Sequence, residues 1–251
     1  MMIAELTGLT KAFGGLRAIS DLNMSVYSNE LLGLIGPNGS GKTTLFNLMS
    51  GVYRPTDGKI NFLKQDITGL KANTIARLGL TRTFQQTLLW DDMTVLEHLA
   101  LGGLSQSKIR MWDPVVARKK YMLKKNQLED RCLEILDLLG LESFKDEIPG
   151  SLPYGHQKLL GVGVALANNP KLLLLDEPAA GLNATETEML VNILEKILKR
   201  GITIVLVEHD MKLVMGVCHR IVAINFGTKL AEGTPEEVRN NQEVIKAYLG
   251  G

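Results

Sequence analysis

Long apolar runs are missing from this chain: stretches such as Leu172 to Leu175 and Ile202 to Val207 fall far short of the roughly 20 residues a membrane-crossing helix needs. Any membrane role is therefore expected to come through a partner. Cysteine is scarce as well. Cys132 and Cys218 lie far apart with no Cys-x-x-Cys spacing, which excludes a disulfide framework, suits a reducing compartment and reads as two core thiols. Net charge is almost absent, at +1 from 28 basic and 27 acidic residues, so composition makes no case for a polyanion partner. The start, Met-Met-Ile-Ala-Glu, lacks a basic stretch followed by an apolar one, and no secretory signal is expected. Internal repeats and low-complexity tracts are absent too. What is present is apolar material, 45% of 251 residues, enough for the core of one large domain.

Short apolar and polar alternations over residues 2–35, such as Ile19, Leu22, Met24 and Val26, predict antiparallel strands leading into a buried strand, Leu31 to Ile35. A Gly-rich loop and a helix from Thr44 to Ser50, ending at Gly51, should follow. From about Asn73 to Ser151 the pattern is helical, with a break expected at Gly102-Gly103 and helical spacing over Leu128 to Leu139; this reads as an inserted helical subdomain. Alternation then resumes: a helix from Leu159 to Asn168, a strand Leu172 to Leu175, a helix Glu186 to Arg200 and a strand Ile202 to Val207. A hairpin over Ile221 to Ala231 and a closing helix, Pro235 to Leu249, complete the chain. Strands alternating with helices imply an α/β fold with a mainly parallel sheet. Lys108, Arg110, Arg118, Lys119, Lys120, Lys124 and Lys125 form a basic run that reads as a solvated helix face, with a membrane-proximal or partner-facing surface as the alternative.

Gly36-Pro37-Asn38-Gly39-Ser40-Gly41-Lys42-Thr43 satisfies G-x-x-x-x-G-K-[ST] between a predicted strand and helix, the context a phosphate-binding P-loop requires. Glycines let successive backbone N–H groups face phosphate oxygens, and the helix N-terminus adds its dipole. Lys42 is expected to reach the β- and γ-phosphates of ATP and Thr43 to offer its hydroxyl to Mg²⁺, with Thr44 continuing the phosphate contact. The strand Leu172 to Leu175 runs into Asp176 and Glu177, and carboxylates at the C-terminal end of a parallel strand face the ligand crevice. Asp176 is then placed to hold Mg²⁺, directly or through water, and Glu177 to orient or deprotonate the attacking water.

With these motifs in this order, the chain resembles the nucleotide-binding subunits of ABC transporters along essentially its whole length. The resemblance implies a single ABC ATP-binding domain: a P-loop NTPase core (1–84 and 159–251) with an N-terminal antiparallel β-subdomain, and an inserted helical subdomain (85–158). It identifies Gln85, in Arg-Thr-Phe-Gln-Gln, as the Q-loop glutamine near Mg²⁺ and water, with Gln86 the lesser candidate. It makes His209 the switch histidine for the γ-phosphate, while His98, His156 and His219 have no motif context. It makes Phe13 the aromatic that stacks on adenine.

Two segments depart from the family pattern. The signature Leu-Ser-Gly-Gly-Gln reads here Leu152-Pro153-Tyr154-Gly155-His156, then Gln157. In the family it covers the γ-phosphate bound to the opposite subunit; Pro153 removes a hydroxyl and an N–H from that contact, leaving the Gly155 amide and a helix dipole. Asn183 ends Ala180-Gly181-Leu182-Asn183 where many relatives carry Asp. Asp-Glu-Pro-Ala-Ala-Gly-Leu-Asn at 176–183, Val-Glu-His-Asp-Met-Lys-Leu-Val-Met at 207–215 and the tail at 233–241 resemble the ATPases of branched-chain amino acid importers, with urea or amide import and lipid export as alternative cargoes. The implied partners are a second ABC ATPase subunit, identical or different, and two transmembrane permease subunits, with a solute-binding protein acting indirectly. The implied location is the cytoplasmic face of the plasma membrane. A non-transport ABC ATPase acting on nucleic acid or ribosomes is the distant alternative, disfavoured by a single P-loop and the lack of sustained heptads.

Overall fold

A computed structural model describes residues 1–83, 89–107 and 118–249. Two sheets organise it. An antiparallel sheet is built from β1 (Met2–Phe13), β2 (Leu16–Tyr27), β4 (Asp57–Phe62) and β5 (Gln65–Asp66), in the order β2-β1-β4-β5. The second sheet contains β3 (Leu31–Ile35), β6 (Leu80–Arg82), β7 (Leu172–Asp176), β8 (Thr203–Val207), β9 (Arg220–Asn225) and β10 (Thr228–Gly233), in the order β10-β9-β3-β8-β7-β6. All its neighbours pair parallel except the β9–β10 hairpin. The expected α/β class and antiparallel N-terminal layer are both observed.

The central strands are buried on both faces, and their period of two divides two cores. Leu31 and Ile35 of β3, Leu173 and Leu175 of β7, and Ile204 and Leu206 of β8 pack with the helical side. Leu32, Leu34, Leu172, Leu174, Val205 and Val207 pack towards the antiparallel sheet and α1 (Lys42–Met49). Apolar runs without alternation are what strands covered on both sides demand.

After α2 (Ala72–Leu78), β6 belongs to the parallel sheet, so the stretch from Asn73 is not helical throughout. Three residues are too few to print a period. The helical region comprises α3 (Val95–Ser107), α4 (Arg118–Leu139), two short 3₁₀ turns and α5 (Tyr154–Ala167). The break expected at Gly102-Gly103 does not occur. α3 runs through both glycines because α5 and α4 approach there: a Cβ on Gly102 would strike Val164, and one on Gly103 would strike Leu128. Glycine here serves close helix packing rather than termination. Of the basic run, Lys108 and Arg110 lie outside the described residues. Arg118, Lys119, Lys120 and Lys125 stand exposed on the first turns of α4 beside exposed Met122 and Leu123.

α5 begins at Tyr154, earlier than the Leu159 expected from periodicity. α6 (Ala184–Lys199) and α7 (Met211–Val217) follow β7 and β8. The closing helix is two helices, α8 (Pro235–Arg239) and α9 (Gln242–Leu249). Asn240 ends the first, and the Asn241 side chain accepts from the Glu243 and Val244 N–H groups at 2.9 and 3.2 Å to start the second. Both thiols are buried and free, as expected; burial pushes Cys132 up to about 11 and Cys218 up to about 12.

Candidate active site

β3 delivers Gly36 to the loop and α1 takes over at Lys42, one turn-forming Gly apart from Ser40. That residue, Gly41, sits at the N-cap with φ 108°, and a Cβ there would lie 2.7 Å from the Ala18 carbonyl oxygen. Only glycine meets both demands. The loop is fastened from within and from the β9–β10 turn. Ser40 N–H donates to Pro37 O at 3.1 Å, and Gly227 N–H donates to Ser40 O at 2.9 Å. The Lys42 ammonium curls back to donate to Gly36 O at 2.7 Å and Pro37 O at 3.0 Å. Burial lowers its pKa from the ordinary lysine value, against the pull of the Glu177 and Asp176 charges. A buried cation at a helix N-terminus, in a loop whose backbone N–H groups can face an anion, is complementary to phosphate.

The two carboxylates emerge where β7 ends beside β8, with Asp176 in register with Val207. They have opposite surroundings. Asp176 is buried: its Oδ2 accepts from Arg82 Nη2 at 2.6 Å, while Oδ1 is buried with no hydrogen-bond partner among the described residues. Glu177 turns out of the strand at φ 50°, an uncommon conformation for a side-chain-bearing residue, held by its N–H donating to Val207 O at 2.9 Å. The turn brings its Oε1 to 2.8 Å from His209 Nε2. Glu177 can thus serve as a proton acceptor, and the imidazole can orient it.

Lys42, Thr43, Thr44, Glu177 and His209 line one open cleft of about 490 Å³ with Asn38, Gly39, Ser40 and Gly41. Phe13 stands at its mouth, 43% exposed, its ring edge-on to Tyr53 at 5.3 Å and under the Lys11 ammonium at 4.9 Å. An exposed aromatic held this way offers a stacking face for a base. Leu16 and Ala18 line the same mouth without any motif to flag them. Gln85 lies outside the described residues, as does Gln86.

Among the described residues lining the cleft, none comes from Leu152–Gln157. That segment is built against a different part of the chain. Leu152 is buried and accepts from the Gln157 side-chain amide at 2.9 Å. Pro153 occupies the N-cap of α5 with no side-chain cap. Tyr154 O–H donates to Ala180 O at 3.4 Å, and a Cβ on Gly155 would collide with the Glu186 side chain. The His156 ring packs 5.0 Å from Phe144. Asn183 caps α6: its side chain accepts from Glu186 N–H at 3.0 Å, and Glu186 accepts from Asn183 N–H at 2.9 Å. Asn caps as well as Asp, so the departure at this position keeps the helix start.

His98 and His219 are structural. His98 Nε2 accepts from Trp90 N–H at 3.0 Å, and His219 Nδ1 accepts from Leu31 N–H at 2.9 Å. Two residues with a bearing on the site escaped the sequence reading. Glu208 is buried and ties the loop after β7 to the one after β8, accepting from Ala179 N–H at 2.6 Å and His209 N–H at 3.2 Å. Burial raises its pKa above the ordinary value despite those donors. Its signal was a lone acid after a wholly apolar strand. Arg82 is the other, a charge ending a three-residue strand.

Comparison with known proteins agrees with this geometry. Residues 19–180 match the family model described as ABC transporter, and residues 228–251 match one described as branched-chain amino acid ATP-binding cassette transporter. The chain is 41% identical over 249 residues to the high-affinity branched-chain amino acid transport ATP-binding protein LivG of Escherichia coli (strain K12), covering 99% of this chain and 98% of that one. A crystal structure of an ATP-binding cassette of an ABC transporter in its ADP conformation superposes with a TM-score of 0.87 at 29% identity, covering 100% of both chains. A dimeric bacterial ABC transporter cassette gives 0.77 at 26% identity, over 93% of this chain and 99% of that one.

Proposed function

The chain belongs to the ABC transporter family as an ATP-hydrolysing cassette, and we propose that the solute whose import it powers is a branched-chain amino acid. The observation that carries the cargo is the match of residues 228–251 to a model particular to branched-chain cassettes, with a full-length relative whose name states that transport. Division of the chain follows: 1–84 and 159–251 form the ATP-binding core, and 85–158 the helical subdomain that faces the permease subunits, with α5 running across the boundary from one into the other.

The chemistry rests on this chain's own residues. Backbone N–H groups of the Gly36–Thr43 loop other than Pro37, with the Lys42 ammonium, bind the β- and γ-phosphates, and Phe13 receives the adenine. Glu177, oriented by His209, takes the proton of the attacking water as it adds in line to the γ-phosphorus, while the bond from that phosphorus to the β,γ-bridging oxygen breaks and ADP leaves. The donor set suits Mg²⁺: Thr43 offers a hydroxyl, and Asp176 a buried carboxylate oxygen without a hydrogen-bond partner among the described residues. Among the described residues no group of three or more His, Cys, Asp or Glu could hold a metal by itself, which fits an ion that completes its shell with phosphates and water. When bound, Mg²⁺ neutralises charge on the phosphates. Gln85 belongs to the same assignment by its motif.

Among the described residues lining the cleft of one chain, none belongs to Leu152–Gln157. This supports a head-to-tail dimer in which the segment of one subunit closes the site of the other, as does the dimeric state of a similar cassette. No described helix is long and apolar enough to cross a membrane. Two permease subunits then carry the solute while the cassettes attach at the cytoplasmic face, and a solute-binding protein acts from the far side. The test is the complex reconstituted with its permease subunits and solute-binding protein. ATP hydrolysis stimulated by Leu, Ile or Val supports the cargo; stimulation by urea, amides or lipid leaves the motor and refutes the cargo.

A further inference from the structure

We propose that Arg82 is a positioning residue for Asp176, locking one carboxylate oxygen so that the other is presented to Mg²⁺. The inference rests on the assignment of Asp176 to the metal made above. Arg82 Nη2 holds Asp176 Oδ2 at 2.6 Å with the two side chains 6% and 0% exposed. A charge-assisted bond of that length stops the carboxylate from rotating. The orientation of Oδ1 is then set as well, and it is the oxygen without a hydrogen-bond partner among the described residues. The Asp176 backbone is pinned as well, its N–H donating to Thr83 Oγ1 at 3.2 Å.

The guanidinium is itself fixed from the phosphate-loop helix. Arg82 Nη1 donates to Asn47 Oδ1 at 2.5 Å, and its Cζ lies over the Phe46 ring, 5.5 Å from the ring centroid. Asn47 and Phe46 sit on α1, the helix that opens with Lys42 and Thr43. One side chain on β6 therefore sets β7's carboxylate relative to the helix that carries the hydroxyl ligand. Simple neutralisation of a buried acid would need only a positive charge. Two bonds in different directions, one to the acid and one to α1, need the planar fork of arginine, which lysine cannot reproduce. Partners one shell behind a metal ligand commonly govern its affinity by about 10- to 100-fold.

The experiment measures Mn²⁺ binding to the ADP complex by electron paramagnetic resonance, and ADP binding in EDTA, for Arg82→Met, Arg82→Lys, Asn47→Ala and Asp176→Asn. Positioning predicts that Arg82→Met and Arg82→Lys both weaken Mn²⁺ by about 10-fold or more while metal-free ADP affinity stays within about twofold. Asn47→Ala, which leaves the ion pair but removes the hydrogen bond from the guanidinium to α1, should weaken Mn²⁺ severalfold, and it decides the matter if Arg82→Met does not fold. Full Mn²⁺ affinity in Arg82→Lys reduces the role to neutralisation and overturns the proposal, as does equal loss of metal and metal-free nucleotide binding. If Asp176→Asn alone binds Mn²⁺ as the parent does, the metal assignment itself is what fails.

Discussion

Replacing Glu177 by Gln isolates the proton acceptor from everything else that residue does. The side chain keeps its length and one carbonyl oxygen, so a hydrogen bond to His209 Nε2, at 2.8 Å in the parent, can persist. The backbone at φ 50° is held by bonds that Gln does not touch: Glu177 N–H to Val207 O at 2.9 Å and Ala180 N–H to Glu177 O at 3.2 Å. The loss is therefore confined to proton transfer, worth about 10²- to 10⁴-fold for a positioned general base, or about 2.7 to 5.4 kcal/mol of barrier. Phosphate release by the intact transporter should fall by that factor while nucleotide affinity stays within about threefold, and nucleotide-bound dimer should accumulate. Glu177→Ala should do no better, since it also strips His209 of its partner. Turnover within about threefold of the parent, or a fall in affinity that matches the fall in rate, would refute the assignment.

Pro153→Ser restores a hydroxyl at an N-cap that has none, and should raise the nucleotide-dependent dimer fraction in light scattering; an unchanged or smaller fraction counts against trans closure by this segment. Asn183→Ala breaks both bonds of a capping box and should cost about 1 kcal/mol in denaturant unfolding, whereas Asn183→Asp should be nearly neutral. With thiols pushed up to about 11 at Cys132 and about 12 at Cys218, the native chain should be alkylated by iodoacetamide at pH 8 at least about 100-fold more slowly than the unfolded one. Glu208 has a raised folded pKa, so the native state holds its proton more tightly than the unfolded state. Its contribution is full below about pH 4 and is lost as pH rises through the folded value. The stability of Glu208→Gln relative to the parent should accordingly climb from about pH 4 upward and then level off; a flat difference contradicts the burial argument.

How far the sequence reading reached depended on whether the signal was local. Gly36–Thr43 was legible because the loop's demands, glycines for tight backbone and lysine at the helix start, are written into adjacent residues. Asp176 and Glu177 were legible because β7 is apolar up to its last residue, so the first charges mark the strand's end. β6 was not, since Leu80–Arg82 joins the sheet only through its register with β7. Gly102 and Gly103 misled because their conformational cost is local while their benefit, room for α5 and α4, comes from elsewhere in the chain. The Asn183-x-x-Glu186 spacing is that of a capping box, so the helix start at Ala184 is legible in adjacent residues.

The contacts that were not legible share a property: each joins a residue of the site to a separate segment. Arg82 reaches α1 and β7; Glu208 reaches Ala179 and His209; Tyr154 and Gly155 abut Ala180 and Glu186. Taken in order, these form a continuous path within one chain from Leu152–Gln157, through the loop before α6, to His209 and Glu177. In the proposed dimer the first of these faces the partner's nucleotide and the last faces the chain's own. Glu208 is buried and holds one backbone donor from each loop, so losing either bond would leave a buried acceptor short of a partner. A motif scan finds the ends of such a path, but only packing reveals the residues between them.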